Sequence, residues 1–319
     1  MRATCSCGIF LSLGTIRNSP RSFALLIVPT GIICFRGPAK LGEGPLKKIR
    51  VDRRNAGRKC IFCGAGNVSK EHFFSSWMHP LLPRKADSEN VNGLFTRRGR
   101  DISQPPVIRT RQGPVFTKTI RCVCAKCNNG WMNTIESAAR GSLTSLIISE
   151  KHILTVDAQR AVAKWIALKV MVAEHDRPSM AVTGSEERRA FMDRGEIPAS
   201  MEIWLGRCGV DFWQCAYMRH STTISNSPNF TPTVGRNNIH SVTFGIGDLF
   251  IFVLQNNSNV PLKLEPVIPG FTIKILPATA EHRWPPPETI PERLATGIAH
   301  TLEEPFSKAA GWLPRQVGE

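Results

Sequence analysis

Four cysteines stand in two pairs of equal spacing, Cys60 and Cys63 in CIFCG and Cys124 and Cys127 in CAKC. Two thiolates separated by two residues can grip one tetrahedral ion, and two such pairs complete the four-sulfur set of structural zinc. Cys122 is a rival for the second pair, but its bite to Cys127 is wider than that of the first pair, so it stays outside the set. Sixty residues lie between Cys63 and Cys124. That length is a small obstacle, because each doubling of a loop costs only ~0.6 kcal/mol, whereas structural zinc contributes about 10–16 kcal/mol in small peptides. Four thiolates leave no open coordination position, so any catalysis must come from what the zinc holds in place. The candidates are Glu71 and His72, just past the first pair in SKEHFF, and Asn128, directly after the last cysteine. A carboxylate and an amide oxygen suit a hard divalent cation such as Mg²⁺ or Mn²⁺. The adjacent imidazole could take a proton from a water that attacks phosphorus. The bland alternatives are a packed or turn-capping histidine and, for Asn128, a helix N-cap. His79, seven residues past His72, reads as a surface histidine.

These groups need elements to carry them. KCIFCG reads as a knuckle closed by Gly64, and PVFTKTIRCVC alternates apolar and polar residues as a strand entering the second knuckle. Asn128 to about Ala139 has helical spacing through Trp131, Ile135 and Ala138. A second unit begins near Asp157, an N-cap candidate, with an apolar stripe through Ala161, Val162, Trp165, Leu168 and Val172 that predicts a core-facing helix. Strand-like runs follow in SMEIWLG, WQCAYM, HSVTFGIGDLFIFVLQN and GFTIKIL, the third turned into a hairpin by Gly245 and Gly247. The fold class expected is α+β. This second unit carries no catalytic motif.

Composition agrees with a soluble globular chain: 42% hydrophobic and 21% charged over 319 residues. Ten cysteines clustered by twos and threes suit metal ligation in a reducing cytosol better than a disulfide scaffold, so a cytoplasmic location is expected. The formal net charge is +16, and it is concentrated: Pro45 to Cys127 holds 18 Lys and Arg against 5 Asp and Glu. An excess of that size around the knuckles points to a polyanionic partner. The first 45 residues differ in composition. Their apolar run FALLIVPTGIICF is too short to span a bilayer and lacks a convincing signal cleavage site. Residues 1–45 are expected to be a disordered or spurious leader.

The set CIFCG, SKEHFF and CAKCNNGWM resembles the HNH, or ββα-metal, endonuclease family in its zinc-clamped form. There a CxxC pair precedes a strand ending in an acid–His pair, and Asn or His follows the last Cys of a second CxxC. The resemblance implies a zinc-stabilised ββα-metal nuclease domain over residues 46–145, followed by a mixed α+β domain of unassigned role over 155–319. It implies His72 as general base, Glu71 and Asn128 as ligands of a catalytic Mg²⁺ or Mn²⁺, and Cys60, Cys63, Cys124 and Cys127 as holders of Zn²⁺. The implied activity is phosphodiester hydrolysis, with double-stranded DNA as partner. In place of the basic residue and glycine found near the helix start in many members, this chain has Asn129, Gly130 and Trp131. The competing reading is a non-catalytic zinc-ribbon protein that binds nucleic acid through the same knuckles and basic surface.

Overall fold

The structure, a computed structural model, describes residues 30–35, 58–82, 89–96, 107–113, 115–225, 237–258, 260 and 269–302. Residues 1–29 and 36–45 of the expected leader, and the basic stretches 45–57, 83–88 and 97–106, lie outside the described residues. Within the leader span, Thr30–Phe35 form a strand, β1. The chain continues through β2 (Val68–His72), β3 (Glu89–Thr96), β4 (Val107–Gln112) and β5 (Thr119–Cys124). After β5 come α1 (Ala125–Cys127), a wider helical turn over Asn128–Met132, and α2 (Asn133–Ile147). The second half contains β6 (His152–Leu154), α3 (Val156–Ala173), α4 (Ser185–Arg194), β7 (Met201–Arg207) and β8 (Cys215–Thr222). It closes with β9 (Ile239–Ile246), β10 (Leu249–Asn256), β11 (Thr272–Leu276), β12 (His282–Trp284) and α5 (Glu292–Ala299).

Eight strands form one antiparallel sheet in the order β11-β7-β10-β9-β8-β1-β3-β4. Its central strands are apolar on both faces because both faces are covered. Successive side chains of a strand point to opposite sides, and the core divides accordingly. Ile203, Leu205, Tyr217, Val242, Phe244, Ile251 and Val253 pack on the side that holds α3. Trp204, Met218, Phe250, Phe252 and Leu254 pack on the other, against Ala295, Ile298 and Ala299 of α5. β9 and β10 are joined by the two residues Gly247 and Asp248, with φ +57° at Gly247. That conformation favours glycine and matches the right-handed twist of a two-residue hairpin. Gly245, expected to help make the turn, lies inside β9 instead. A Cβ there would meet the Trp213 carbonyl oxygen at 1.7 Å, so close backbone approach is its reason.

The apolar stripe of α3 is where the sequence places it: Val162, Trp165, Leu168 and Val172 are fully buried. The cap differs from expectation. Thr155, rather than Asp157, occupies the N-cap, its hydroxyl accepting the Ala158 N–H at 3.2 Å.

The expected division near residues 145–155 does not divide the core. One continuous buried cluster takes residues from Cys60 to Ile147 and from Leu154 to Trp284. β3 and β4, from the first half, extend the sheet of the second. Phe73 and Phe74, which follow the Glu-His pair, pack against Tyr217 and Phe244 with ring centroids 4.5 and 6.3 Å apart.

Candidate metal centre and nucleic-acid interface

β2 and β5 form a separate antiparallel ladder in which Val68 faces Cys124 and His72 faces Thr119. Its Cys124 end runs directly into α1, while β3 and β4, which lie between β2 and β5 in the chain, belong to the large sheet. The first knuckle folds back with Gly64 at φ +76°, a conformation that suits glycine, and the Gly64 N–H donates to the Cys60 carbonyl at 2.9 Å. The Ile61 N–H donates to the Cys122 carbonyl at 2.9 Å, which ties the first knuckle to β5.

This brings Cys60, Cys63, Cys124 and Cys127 together, with all four sulfurs within 4.8 Å of one another. Cys63 and Cys124 sulfurs are 3.5 Å apart. A tetrahedron of Zn–S bonds of ~2.3 Å has edges of roughly 3.8 Å, so the donor set fits zinc in number, type and spacing. Among the described residues it is the one group of three or more His, Cys, Asp or Glu side chains so arranged. Cys122 is outside it, buried with its thiol toward the Val172 carbonyl at 4.0 Å. Burial pushes that thiol up to about 12. Within the cluster, burial raises Cys60, but backbone N–H groups of Cys63, Cys124 and Phe62 outweigh it and bring the thiol down to about 7. Burial and the neighbouring sulfurs push Cys127 upward. The sulfur of Cys124 also caps α1, accepting the Cys127 N–H at 3.5 Å. Asn128 is therefore not the helix N-cap; it sits in αR conformation (φ −60°, ψ −51°) at the C-terminal side of α1.

The hairpin sorts its side chains by face. Lys70 and His72 point outward on β2, and Arg121 and Thr119 do so on β5, while Glu71, Ile120 and Cys122 are buried. Lys70 and Arg121 are directly opposite and both exposed. Like charges in that position repel, and neither side chain forms an ion pair among the described residues. Arg58, Lys59 and Lys126 add exposed positive charge on the knuckles. His72 lies two residues from Lys70 on this face. Its Nδ1 is buried without a hydrogen-bond partner, and the residue as a whole is partly exposed. His79 packs edge-on against it at 5.4 Å between centroids and against Phe116 at 4.9 Å, which makes it part of the wall behind His72.

Glu71 goes the other way. Its Oε1 accepts from the Lys169 Nζ at 2.6 Å; Lys169, on α3, also meets Glu136 of α2 at 2.7 Å and the His72 carbonyl at 3.2 Å. The Ser75 hydroxyl donates to Glu136 at 2.6 Å and accepts from the Trp165 indole at 3.3 Å. Burial alone would lower the Lys169 ammonium, but the two carboxylates outweigh it and hold it charged, above its ordinary value. A cation on Glu71 would sit against that fixed ammonium, and Glu71 and His72 face opposite sides of the hairpin. Glu71, expected to share a divalent ion with Asn128, is instead held by Lys169. The lysine is the partner that sequence reading missed. It lies on the buried stripe of α3, and only its position as a charge among apolar residues hinted at one.

No family model, curated protein or solved structure matches the chain. Among the described residues no helix is long and apolar enough to cross a membrane.

Proposed function

We propose that the chain is a zinc-clamped nucleic-acid phosphodiesterase of HNH type, acting on DNA with His72 as general base. The observation that carries this reading is the outward face of the β2–β5 hairpin, where the partly exposed His72 lies two residues from Lys70, which faces Arg121 across the ladder. Unpaired cations directly opposite each other are a cost in the free protein, and a phosphate backbone turns that cost into binding energy. His72 would deprotonate a water at a phosphate held there, and the Lys and Arg side chains would bear the charge developing on the phosphoryl oxygens. Zinc contributes the fold of the hairpin and takes no part in the chemistry.

A second reading, a zinc-clamped binding module without catalysis, is favoured by the capture of Glu71 by Lys169. Incubation of the purified protein with supercoiled plasmid, with Mg²⁺, with Mn²⁺ and with chelator, separates the two. The nuclease reading expects nicking that falls by roughly 10²–10⁴-fold in His72→Ala, while zinc content and DNA retention stay at the wild-type level. A folded His72→Ala protein that cuts as fast as wild type removes His72 from the role. Binding without cleavage under every condition leaves the module.

A further inference from the structure

A second polar cluster lies inside the molecule, on side chains other than those of the zinc hairpin and independent of the function proposed above. On the face of the sheet that holds α3, β8 presents Arg219 and Ser221 and β9 presents His240, with Ser221 and His240 directly opposite. Glu174, at the end of α3, reaches them: its Oε1 is 3.0 Å from the His240 Nδ1 and accepts the Val182 and Thr183 N–H groups at 2.8 and 3.1 Å. All four side chains are at most 1% exposed. Yet the Nε and both Nη atoms of Arg219, the Ser221 Oγ, the His240 Nε2 and the Glu174 Oε2 have no hydrogen-bond partner. Arg219 forms no ion pair among the described residues.

Buried polar atoms are normally satisfied, and a desolvated guanidinium without a partner is among the most costly arrangements a fold can contain. Six such atoms, three of them on Arg219 and the others on side chains that share its face of the sheet or reach it from α3, describe a lining. Its chemistry is specific. Arg219 supplies a planar fork of donors matched to an oxyanion, and Ser221 a hydroxyl beside it. Glu174 Oε2 is an acceptor whose carboxylate is held ionised: burial raises it, but His240, Arg219 and the Val182 N–H bring it down to about 2. It therefore requires a donor from the occupant. An anion that both accepts from arginine and donates an O–H to a carboxylate is one that still carries a proton.

We infer that Arg219, Ser221, His240 and Glu174 form an internal site for a protonated phosphate group, with the P–O oxygens on Arg219 and Ser221 and the P–OH on Glu174. Sulfate has the same shape but no proton at neutral pH, so it would face Glu174 with a bare oxygen.

Thermal unfolding of full-length, zinc-loaded protein dialysed free of phosphate tests this, titrating inorganic phosphate, a nucleoside monophosphate or sulfate at constant ionic strength. Inorganic phosphate should raise the melting temperature in a saturable way, with sulfate weaker by roughly ten-fold or more. A response to the monophosphate instead assigns the site to a phosphate ester. Arg219→Met should remain folded, because an apolar residue replacing an unpaired buried charge is neutral or stabilising, and should lose the phosphate response. Glu174→Gln, which can donate through its amide, should let sulfate approach phosphate. Three results each overturn the assignment: no response in wild type, an equal response in Arg219→Met, or equal stabilisation by phosphate and sulfate. Any of them leaves the lining to water.

Discussion

Cys127 and its three partners are placed so that a metal ion could hold them together. Four thiols packed within 4.8 Å of one another cannot all ionise cheaply, and a metal ion held among them would make their shared charge tolerable. About one zinc per chain is expected by elemental analysis of protein purified without chelator. Cys127→Ser should lose the zinc, and the fold of the hairpin with it, since the forfeited metal free energy rivals the ~5–15 kcal/mol that stabilises an ordinary domain. The pH dependence has a fixed sign. Zinc binds thiolates, and with Cys60 near 7 and Cys127 above its ordinary value the metal-free cluster holds protons at neutral pH. Affinity should therefore fall as pH falls, and a chelating dye should extract zinc faster at pH 5 than at pH 8. Extraction that ignores pH across that range would mean that the thiolates are not the ligands.

At the scale of elements, the β2–β5 ladder sets two like charges opposite each other, a cost that the proposed function would offset with an anionic partner. Lys70 and Arg121 face each other in the open, and Lys126 on α1 is also exposed. Lys70→Glu converts a repulsive cross-strand pair into an attractive one, so its unfolding midpoint should equal or exceed that of wild type. The same substitution should weaken DNA binding and make the slope of log affinity against log salt shallower by about 0.9 for each phosphate that the protein no longer neutralises. Opposite movements of stability and binding are the signature to look for in paired urea-unfolding and salt-titration experiments. Unchanged binding would place the nucleic-acid surface elsewhere, among the basic stretches outside the described residues.

Across the whole molecule, the two halves of the chain share one interior, and Lys169 is the bolt between them. It reaches from α3 to the Glu71 carboxylate and the His72 carbonyl on β2 and to Glu136 on α2, at 1% exposure. Lys169→Met leaves the buried Glu71 and the partly exposed Glu136 without the cation they share and should cost about 3–5 kcal/mol. Because the core is continuous, that loss should appear as one cooperative shift, with zinc release and the tryptophan signal moving together in denaturant. Two separated transitions, only one of them altered, would show that the halves fold independently.

The sequence alone determined the parts whose chemistry is local. Two CxxC pairs of equal spacing named the four sulfurs, because a tetrahedral ion needs that spacing whatever lies between. The stripe of α3 and the strand-like runs that form β8 to β10 are patterns of residue type, legible without knowing what covers them. Tertiary structure decided what depends on distant partners. Thr30–Phe35 became an inner strand because β8 and β3 offered it two edges, a fact held outside its own segment. Glu71 and His72 are neighbours in sequence, yet the pleat of β2 sends one to Lys169 in the core and the other to the basic face. Which acid meets which base across 98 residues is set by how α3 packs on the hairpin, and no spacing within either segment encodes it.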